Sequence, residues 1–221
     1  MNKASIFLLG DKRWSNEVKN PEFVYIDTGF WNESLGQTKN ICYRQKVKNQ
    51  IESWMQNGTI LLTSNLVLGE LDHVVGNSFL LNYAEKNKIT IPKYKNGGIK
   101  TKDLFDTILE KDKEFPKKYE AELLKVKQIV IDVCQEIDYV EDAKFRDLAF
   151  NIRKSTSFKI GEKDSKHYAI CHQNGINNIA TLDGDFWSLD NANIYTIPKK
   201  EYEIKSAGRA NVFLQYDENK F

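Results

Sequence analysis

Five acidic side chains of this 221-residue chain follow predicted strands directly or lie near the start of a predicted helix next to one, and an open parallel sheet binds its ligands at the carboxyl ends of its strands. They are Asp27, Glu70, Asp164, Asp183 and Asp185. If the predicted strands are parallel, all five project toward one edge of the sheet. Neighbouring carboxylates repel one another, so a cluster that stays ionised near neutral pH needs cations. Hard oxygen ligands indicate Mg²⁺ or Mn²⁺, which can activate water and stabilise charge on a phosphodiester. The predicted reaction is phosphodiester hydrolysis.

Each of these residues also has an ordinary structural role. Asp27 after a strand is typical of a turn or a helix cap, and Asp164 can favour the positive end of its helix. Glu70 alone is typical of a solvated side chain, and the Asp-Gly-Asp at 183–185 is typical of a turn. Only their joint placement favours a metal site.

Short apolar runs alternate with amphipathic stretches and predict the elements that hold these carboxylates. The predicted strands are 23–26, 59–63, 178–181 and 194–197, and the predicted helices cover 41–56, 66–75 and 163–173. Such alternation predicts a three-layer α/β/α domain with a central parallel sheet. A Lys-rich segment with long amphipathic stretches, at about 93–160, predicts a helical insertion. The domain is predicted over 22–198, with an N-terminal extension at 1–21 and a C-terminal tail at 199–221.

The overall composition excludes several classes of protein. With 32 Lys+Arg against 31 Asp+Glu, the formal net charge is +1, so global charge does not indicate a polyanion-binding protein. Cys42, Cys134 and Cys171 form no CxxC pair, which favours a reducing compartment over a disulfide scaffold. The apolar run 6–9 is too short for a signal peptide or a membrane span. These features predict a cytoplasmic protein with no membrane partner.

Three residues near Asp164 are candidates for contact with a nucleic-acid backbone. Lys163 and Lys166 are the best-placed cations to offset phosphate charge, although such lysines are usually only solvated. His167 lies about one helical turn after Asp164 and could face the same cleft as a phosphate or metal neighbour. Core packing or a surface role is the commoner fate of such a histidine.

Three motifs of this chain resemble those of the PIN-domain nucleases, in particular the VapC-like toxin ribonucleases of bacterial toxin-antitoxin pairs. The most specific is the stretch from Asp164 to Phe186, with its small-residue helix, glycine stop and Thr-x-Asp-x-Asp-Phe strand end. The weaker motifs are the opening hydrophobic strand with Asp27-Thr28, and the segment 63–71 with its glutamate. Together they frame residues 22–198 and leave the insertion unmatched.

The resemblance implies a PIN-like domain acting as an Mg²⁺- or Mn²⁺-dependent endoribonuclease, with RNA as substrate. It implies an acidic quartet and an auxiliary or second-metal residue, namely Asp27, Glu70, Asp164 and Asp183 with Asp185. Thr28 and Thr181 would be hydroxyls that orient the ligands or the scissile phosphate. The function implied is that of a toxin with an antitoxin partner, and a homodimer is a further expectation.

Other functions remain open at this stage. A housekeeping RNA-processing nuclease and a catalytically inert RNA-binding module would use the same fold, although the complete acidic quartet argues against the inert module. A phosphatase of the haloacid dehalogenase type needs a second Asp two residues after the first, where this chain has Gly29. Gly29 also departs from the family, which usually carries a polar residue there. The length of the chain leaves room for a substrate platform, a dimer surface or a partner site in the insertion.

Overall fold

A computed structural model describes residues 4–9, 19–36 and 41–197. The predicted C-terminal tail at 199–221 lies outside the described residues. Within them the chain begins with two strands, and the later strands are separated in turn by two, three and two α-helices and by one 3₁₀ helix. No helix in the described ranges is both long enough and apolar enough to span a membrane.

Six strands form one sheet in which every neighbouring pair is parallel. The strands are β1 (Ser5–Leu8), β2 (Phe23–Ile26), β3 (Ile60–Thr63), β4 (Gln135–Glu136), β5 (Asn178–Ala180) and β6 (Asn193–Thr196). Their order across the sheet is β1-β6-β5-β2-β3-β4. The predicted α/β fold with a central parallel sheet is therefore confirmed.

Seven α-helices lie among the described residues. They are α1 (Thr28–Ser34), α2 (Ile41–Gln56), α3 (Asn65–Lys86), α4 (Thr101–Lys111), α5 (Phe115–Val133), α6 (Ala143–Ser155) and α7 (Glu162–Gln173). The helices predicted over 41–56 and 163–173 correspond to α2 and α7, and the one predicted over 66–75 extends as α3 to Lys86. A short 3₁₀ helix, Gly184–Ser188, follows β5.

The central strand β2 explains why the sheet has two covered faces. Its residues Val24, Tyr25 and Ile26 are all fully buried. Consecutive side chains of a strand point to opposite faces, so burial of all three means that both faces of the sheet are covered. This is the layering expected of a parallel sheet whose strands are joined by helices.

Strand β2 also marks the place where the strand order reverses. From β2 the chain adds β3 and β4 on one side, whereas β5 and β6 lie on the other side. In open parallel sheets the crevice at such a reversal, beyond the carboxyl ends of the strands, is the usual ligand-binding position. Here that crevice lies between the ends of β2 and β5.

Two strands extend the sheet beyond those predicted. Strand β1 lies within the region predicted as an N-terminal extension and pairs with β6 at one edge. Strand β4 lies inside the predicted helical insertion and pairs with β3 at the opposite edge. Part of the insertion therefore completes the sheet.

The rest of the predicted insertion is divided between two apolar clusters. Val126, Val130 and Phe145 belong to the main core around the sheet. A separate cluster joins the later half of α3 to α4 and the start of α5, with members Leu80, Ala84, Ile89, Leu104, Ile108 and Phe115. We call the residues 76–119 that build this second cluster the helical unit.

Candidate metal centre

The predicted acidic residues lie at the carboxyl ends of β2, β3 and β5, or on the helices that follow or precede them. Asp27 follows β2 directly, and Glu70 lies in the second turn of α3, which follows β3. Asp183 and Asp185 follow β5, and Asp164 lies in the first turn of α7. We call these five carboxylates the acidic site.

Asp27 is fixed by a hydroxyl group from the neighbouring strand end. The residue is only 6% exposed, and the Oγ1 atom of Thr181 donates a hydrogen bond to its Oδ2 atom at 2.8 Å. The same hydroxyl oxygen accepts a bond of 3.0 Å from the backbone N–H of Asp183. Thr181 therefore joins the end of β2 to the turn after β5 and holds two of the predicted ligands in register.

Glu70 is fixed in a similar way from the other side. Thr28 Oγ1 donates a hydrogen bond of 2.6 Å to the Oε2 atom of Glu70. The Nε2 atom of His167 lies 3.1 Å from the same oxygen and 3.8 Å from Oδ1 of Asp27. Thr28 and Thr181, which were predicted to orient ligands, thus each contact one carboxylate. His167 lies within 4 Å of both carboxylates.

His167 is held by a buried chain of polar groups. Its ring is 1% exposed, and its Nδ1 atom lies 2.8 Å from the phenol oxygen of Tyr25 on β2. That oxygen lies 2.8 Å from Oγ of Ser64, which occupies the N-cap position of α3 but makes no side-chain capping bond. The histidine that was a candidate for RNA contact is therefore enclosed behind the carboxylates.

The acidic side chains are close enough to perturb one another. Burial, followed by the negative charge of Asp183 and then of Asp27, raises the pKa of Asp164 to about 6. Burial likewise raises the pKa of Asp27, and the charge of Glu70 adds to this. Both shifts mean that the site resists carrying all its negative charges without a cation, as the sequence predicted.

Glu70 and His167 respond in the opposite direction, as an ion pair does. Burial disfavours the charged form of Glu70, but hydrogen bonds from His167 and Thr28 outweigh it and lower the pKa of this carboxyl. Burial also disfavours charge on His167, but the hydrogen bond to Glu70 and the charges of Asp27 and Glu70 raise its pKa. Without a bound cation, the imidazole ring supplies part of the missing positive charge.

The two lysines predicted to bind phosphate have different surroundings. Lys163 is exposed and lies near enough to Glu70 for its charge to help lower the pKa of that carboxyl. Lys166 forms an ion pair of 2.6 Å with Glu141, in the segment between β4 and α6. Lys163 is therefore the better placed of the two to meet a phosphate that approaches the acidic site.

The donor set fits a divalent cation. One ligand atom from each of Asp27, Glu70 and His167 lies within 4.8 Å of the other two. Carboxylate oxygens are the ligands that Mg²⁺ and Mn²⁺ prefer, and a cation would offset both the burial and the repulsion that raise the pKa of Asp164. Asp164, Asp183 and Asp185 lie beside this group and would complete the ligands of one ion or take part in binding a second.

Three residues of the site were missed by sequence reasoning. Tyr25 has the pattern of a buried strand residue, and Ser64 that of a helix cap, so neither signals a bond to a distant histidine. Gly161 precedes α7, and a Cβ atom at this position would lie 2.9 Å from Oδ2 of Asp164. At Gly29, where the chain departs from the PIN pattern, a Cβ atom would lie 3.4 Å from Oδ2 of Asp27, an ordinary contact.

No family model and no curated protein matches the sequence. Among solved structures, the chain is similar to VapC20 of Mycobacterium tuberculosis, a toxin that cleaves the sarcin-ricin loop, at 16% identity and a TM-score of 0.42. That match covers 74% of this chain and 92% of the toxin. VapBC2 of Rickettsia felis, bound to a DNA fragment from its promoter, is similar at 13% identity and a TM-score of 0.42, over 78% of this chain and 96% of that one. VapC20 bears the name of the group that the motifs resemble.

Proposed function

We propose that this protein is a PIN-type endoribonuclease that uses Mg²⁺ or Mn²⁺ to hydrolyse RNA phosphodiester bonds. The observation that supports the proposal most directly is the contact network of Asp27 and Glu70 at the strand-order reversal. Each carboxylate has one oxygen held by a threonine hydroxyl, and both are within 4 Å of the same histidine nitrogen. This arrangement orients the carboxylate oxygens to bind a cation, and packing of the core does not require it.

The proposed ligands share the same sheet edge and the same need for a counter-charge. They are Asp27, Glu70, Asp164 and Asp183, with Asp185 as an auxiliary ligand. A bound divalent ion would supply an activated water and stabilise the charge that develops on the phosphate. The chain itself orients the ligand oxygens through Thr28 and Thr181, and Lys163 attracts the substrate backbone toward them.

The test is cleavage of labelled single-stranded RNA and single-stranded DNA, with Mg²⁺, with Mn²⁺ and with a chelator. We expect RNA cleavage that requires the metal and that Asp183→Asn abolishes. Asp106→Asn is the matched control, because Asp106 is an exposed carboxylate on α4, outside the acidic site. If the chelator and the Asp183→Asn substitution both leave cleavage at the level of the wild-type protein with metal, the proposed nuclease function is contradicted. RNA binding with no cleavage under any condition would support an inert RNA-binding module on the same fold.

We propose further that the nuclease acts in the cytoplasm as the toxin of a toxin-antitoxin pair, held in check by an antitoxin protein and able to form a homodimer. Expression of the chain alone should then arrest growth, and Asp27→Asn should abolish the arrest. Growth that continues during expression of an RNA-cleaving protein would support a housekeeping RNA-processing enzyme. Light scattering of the purified protein measures whether it forms dimers.

A further inference from the structure

We propose that His167 is itself a ligand of the divalent ion, through its Nε2 atom, and that this nitrogen makes the acidic site favour a transition ion such as Mn²⁺ over Mg²⁺. The inference rests on the proposed function, because it concerns the metal of the same site. It assigns to the buried histidine a chemical role that packing alone does not require.

The spacing of the donor atoms supports a shared ion. Nε2 of His167 lies 3.1 Å from Oε2 of Glu70 and 3.8 Å from Oδ1 of Asp27. Ligand atoms that bind one ion at about 2.0–2.2 Å lie roughly 3–4 Å from one another. The histidine nitrogen therefore stands from each carboxylate oxygen at the separation that a single bound cation imposes on its ligands, and all three ligand atoms lie within 4.8 Å of one another.

The opposite side of the ring supports the same role. A histidine that binds a metal normally has its other ring nitrogen fixed by a hydrogen bond. Here Nδ1 is 2.8 Å from the Tyr25 phenol oxygen, which is 2.8 Å from Ser64 Oγ. In the metal-free protein Nε2–H donates to Glu70. A cation that displaces this proton would leave Nδ1–H donating to Tyr25 and Tyr25 donating to Ser64, with the Nε2 lone pair facing the cation that it would share with Glu70.

Burial of His167 restricts its ring to contacts within the acidic site. Tyr25 and Ser64 are fully buried, and His167 is 1% exposed. The ring therefore cannot turn outward to stack on a base or contact a phosphate, and only its Nε2 edge reaches the acidic site. Mg²⁺ takes oxygen ligands, whereas first-row transition ions also accept imidazole nitrogen. A nitrogen in the ligand set therefore changes the relative affinities of these ions.

The first test compares His167→Gln with the wild-type protein by titration calorimetry with MnCl₂ and with MgCl₂. A glutamine amide N–H can still donate to Glu70, but its nitrogen has no lone pair for a metal. We expect the Kd for Mn²⁺ to rise at least about tenfold and the Kd for Mg²⁺ to change by less than about threefold. His172→Gln is the matched control, because His172 is exposed on the same helix, and it should leave both constants unchanged.

Two results of this titration would overturn the inference. An equal loss of affinity for both ions would mean that His167 only positions Glu70. Unchanged affinities for both ions would mean that the ring has no part in metal binding. Circular dichroism of each variant shows whether it is folded.

A second measurement needs no substitution at His167. Electron spin echo envelope modulation of the wild-type protein loaded with Mn²⁺ should show coupling to a directly bound ¹⁴N nucleus. Labelling with ¹⁵N-histidine should replace this signal by that of ¹⁵N, and His172→Gln should leave it intact. Bound Mn²⁺ without nitrogen coupling overturns the inference, and RNA cleavage by that same protein would leave the proposed function standing. If no divalent ion binds at all, both proposals fail.

Discussion

The acidic site and the helical unit are built on opposite principles. At the acidic site, Asp27 and His167 are almost fully buried although both can carry charge, and hydroxyl groups hold the carboxylates in place. In the helical unit the centre is aromatic, and the Phe115 ring lies 4.7 Å from the ring of Tyr83 and 5.4 Å from that of Phe105. Burial stabilises the second region and costs free energy in the first. Burial in the helical unit therefore accounts for folding, whereas the buried charges of the acidic site are accounted for by the proposed metal chemistry.

The largest effect is expected at the centre of the helical unit. Phe115→Ala removes a fully buried ring from the second apolar cluster and should lower the free energy of unfolding by about 3–5 kcal/mol. Urea denaturation measures this loss. At a temperature where the variant stays folded, Mn²⁺ affinity per folded molecule should be that of the wild type. A large change in metal affinity would show that the two regions are coupled.

The converse change is Asp27→Asn at the acidic site. Removal of this carboxylate should lower RNA cleavage at least about a hundredfold, because a proposed ligand is lost. Stability of the metal-free protein should stay the same or rise, because burial already disfavours the charge of Asp27, as the raised pKa of this group indicates. Initial cleavage rates and thermal melts measure the two quantities. A strongly destabilised Asp27→Asn would contradict the division between folding and chemistry.

A smaller effect is expected where α3 and α5 approach each other. A Cβ atom at Gly76 would lie 2.0 Å from the phenol oxygen of Tyr119, so Gly76→Ala must displace a ring. We expect a loss of about 1–2 kcal/mol of stability, without loss of metal affinity. Gly69→Ala is the matched control on the same helix, since nothing lies within 4 Å of its Cβ position. That substitution should stabilise the protein by up to about 1 kcal/mol. If both variants gain stability, the close approach does not constrain the helix pair.

The smallest effect concerns the pH dependence of stability. The pKa of Asp164 is raised to about 6 in the folded protein, above its ordinary value of 3.8, so the folded state binds this proton more tightly than the unfolded state. The resulting stabilisation is complete below the unfolded pKa and is lost as pH rises through about 6. Asp164→Asn should therefore raise the Tm of the metal-free protein at pH 7 by roughly 2–4 °C, or about 1 kcal/mol after allowance for solvent screening.

Thermal melts between pH 4 and pH 7 measure this effect, with Asp106→Asn as control. The gain in Tm should shrink toward pH 4. In the wild-type protein, divalent-ion affinity should fall as pH drops through about 6, because protonated Asp164 no longer attracts the cation. A gain in Tm that is equal at every pH would show that charge repulsion at the acidic site is not its cause.

The central elements could be predicted because their sequences carry strong local signals. Strand β2 is apolar on both faces and ends at an aspartate, and α2 ends at Asn57-Gly58. The two edge strands carry weaker signals. Strand β1 overlaps the apolar run 6–9, but this run is short and stands in a region without a clear period. Strand β4 is the polar pair Gln135–Glu136, which joins the sheet through backbone pairing. Edge pairing of this kind depends on the neighbouring strand and leaves little trace in the side chains.

The position of Asp27, Asp183 and Asp185 at the sheet edge could be predicted because they follow strand ends, and that of Glu70 and Asp164 because they lie near the start of a predicted helix beside such a strand. Their supporting groups could not. The bond between Tyr25 and His167 joins positions 142 residues apart, and Tyr25 looks in the sequence like any other core residue of a strand. The room that Gly161 leaves for Asp164 is likewise visible only once α7 is placed against the sheet. The roles proposed for these residues in metal binding and cleavage stay predictions.

The hydrogen bond between Thr181 and Asp27 spans 154 positions of the chain, so the acidic site forms late in synthesis. A ribosome that has passed α3 but has not reached α7 has produced Asp27 and Glu70 without the helix and strand that supply His167 and Thr181. Nascent chains and prematurely terminated fragments that stop before β5 therefore hold an incomplete ligand set. On the proposed function, RNA cleavage would become possible only after β5 and the turn that follows it have been synthesised.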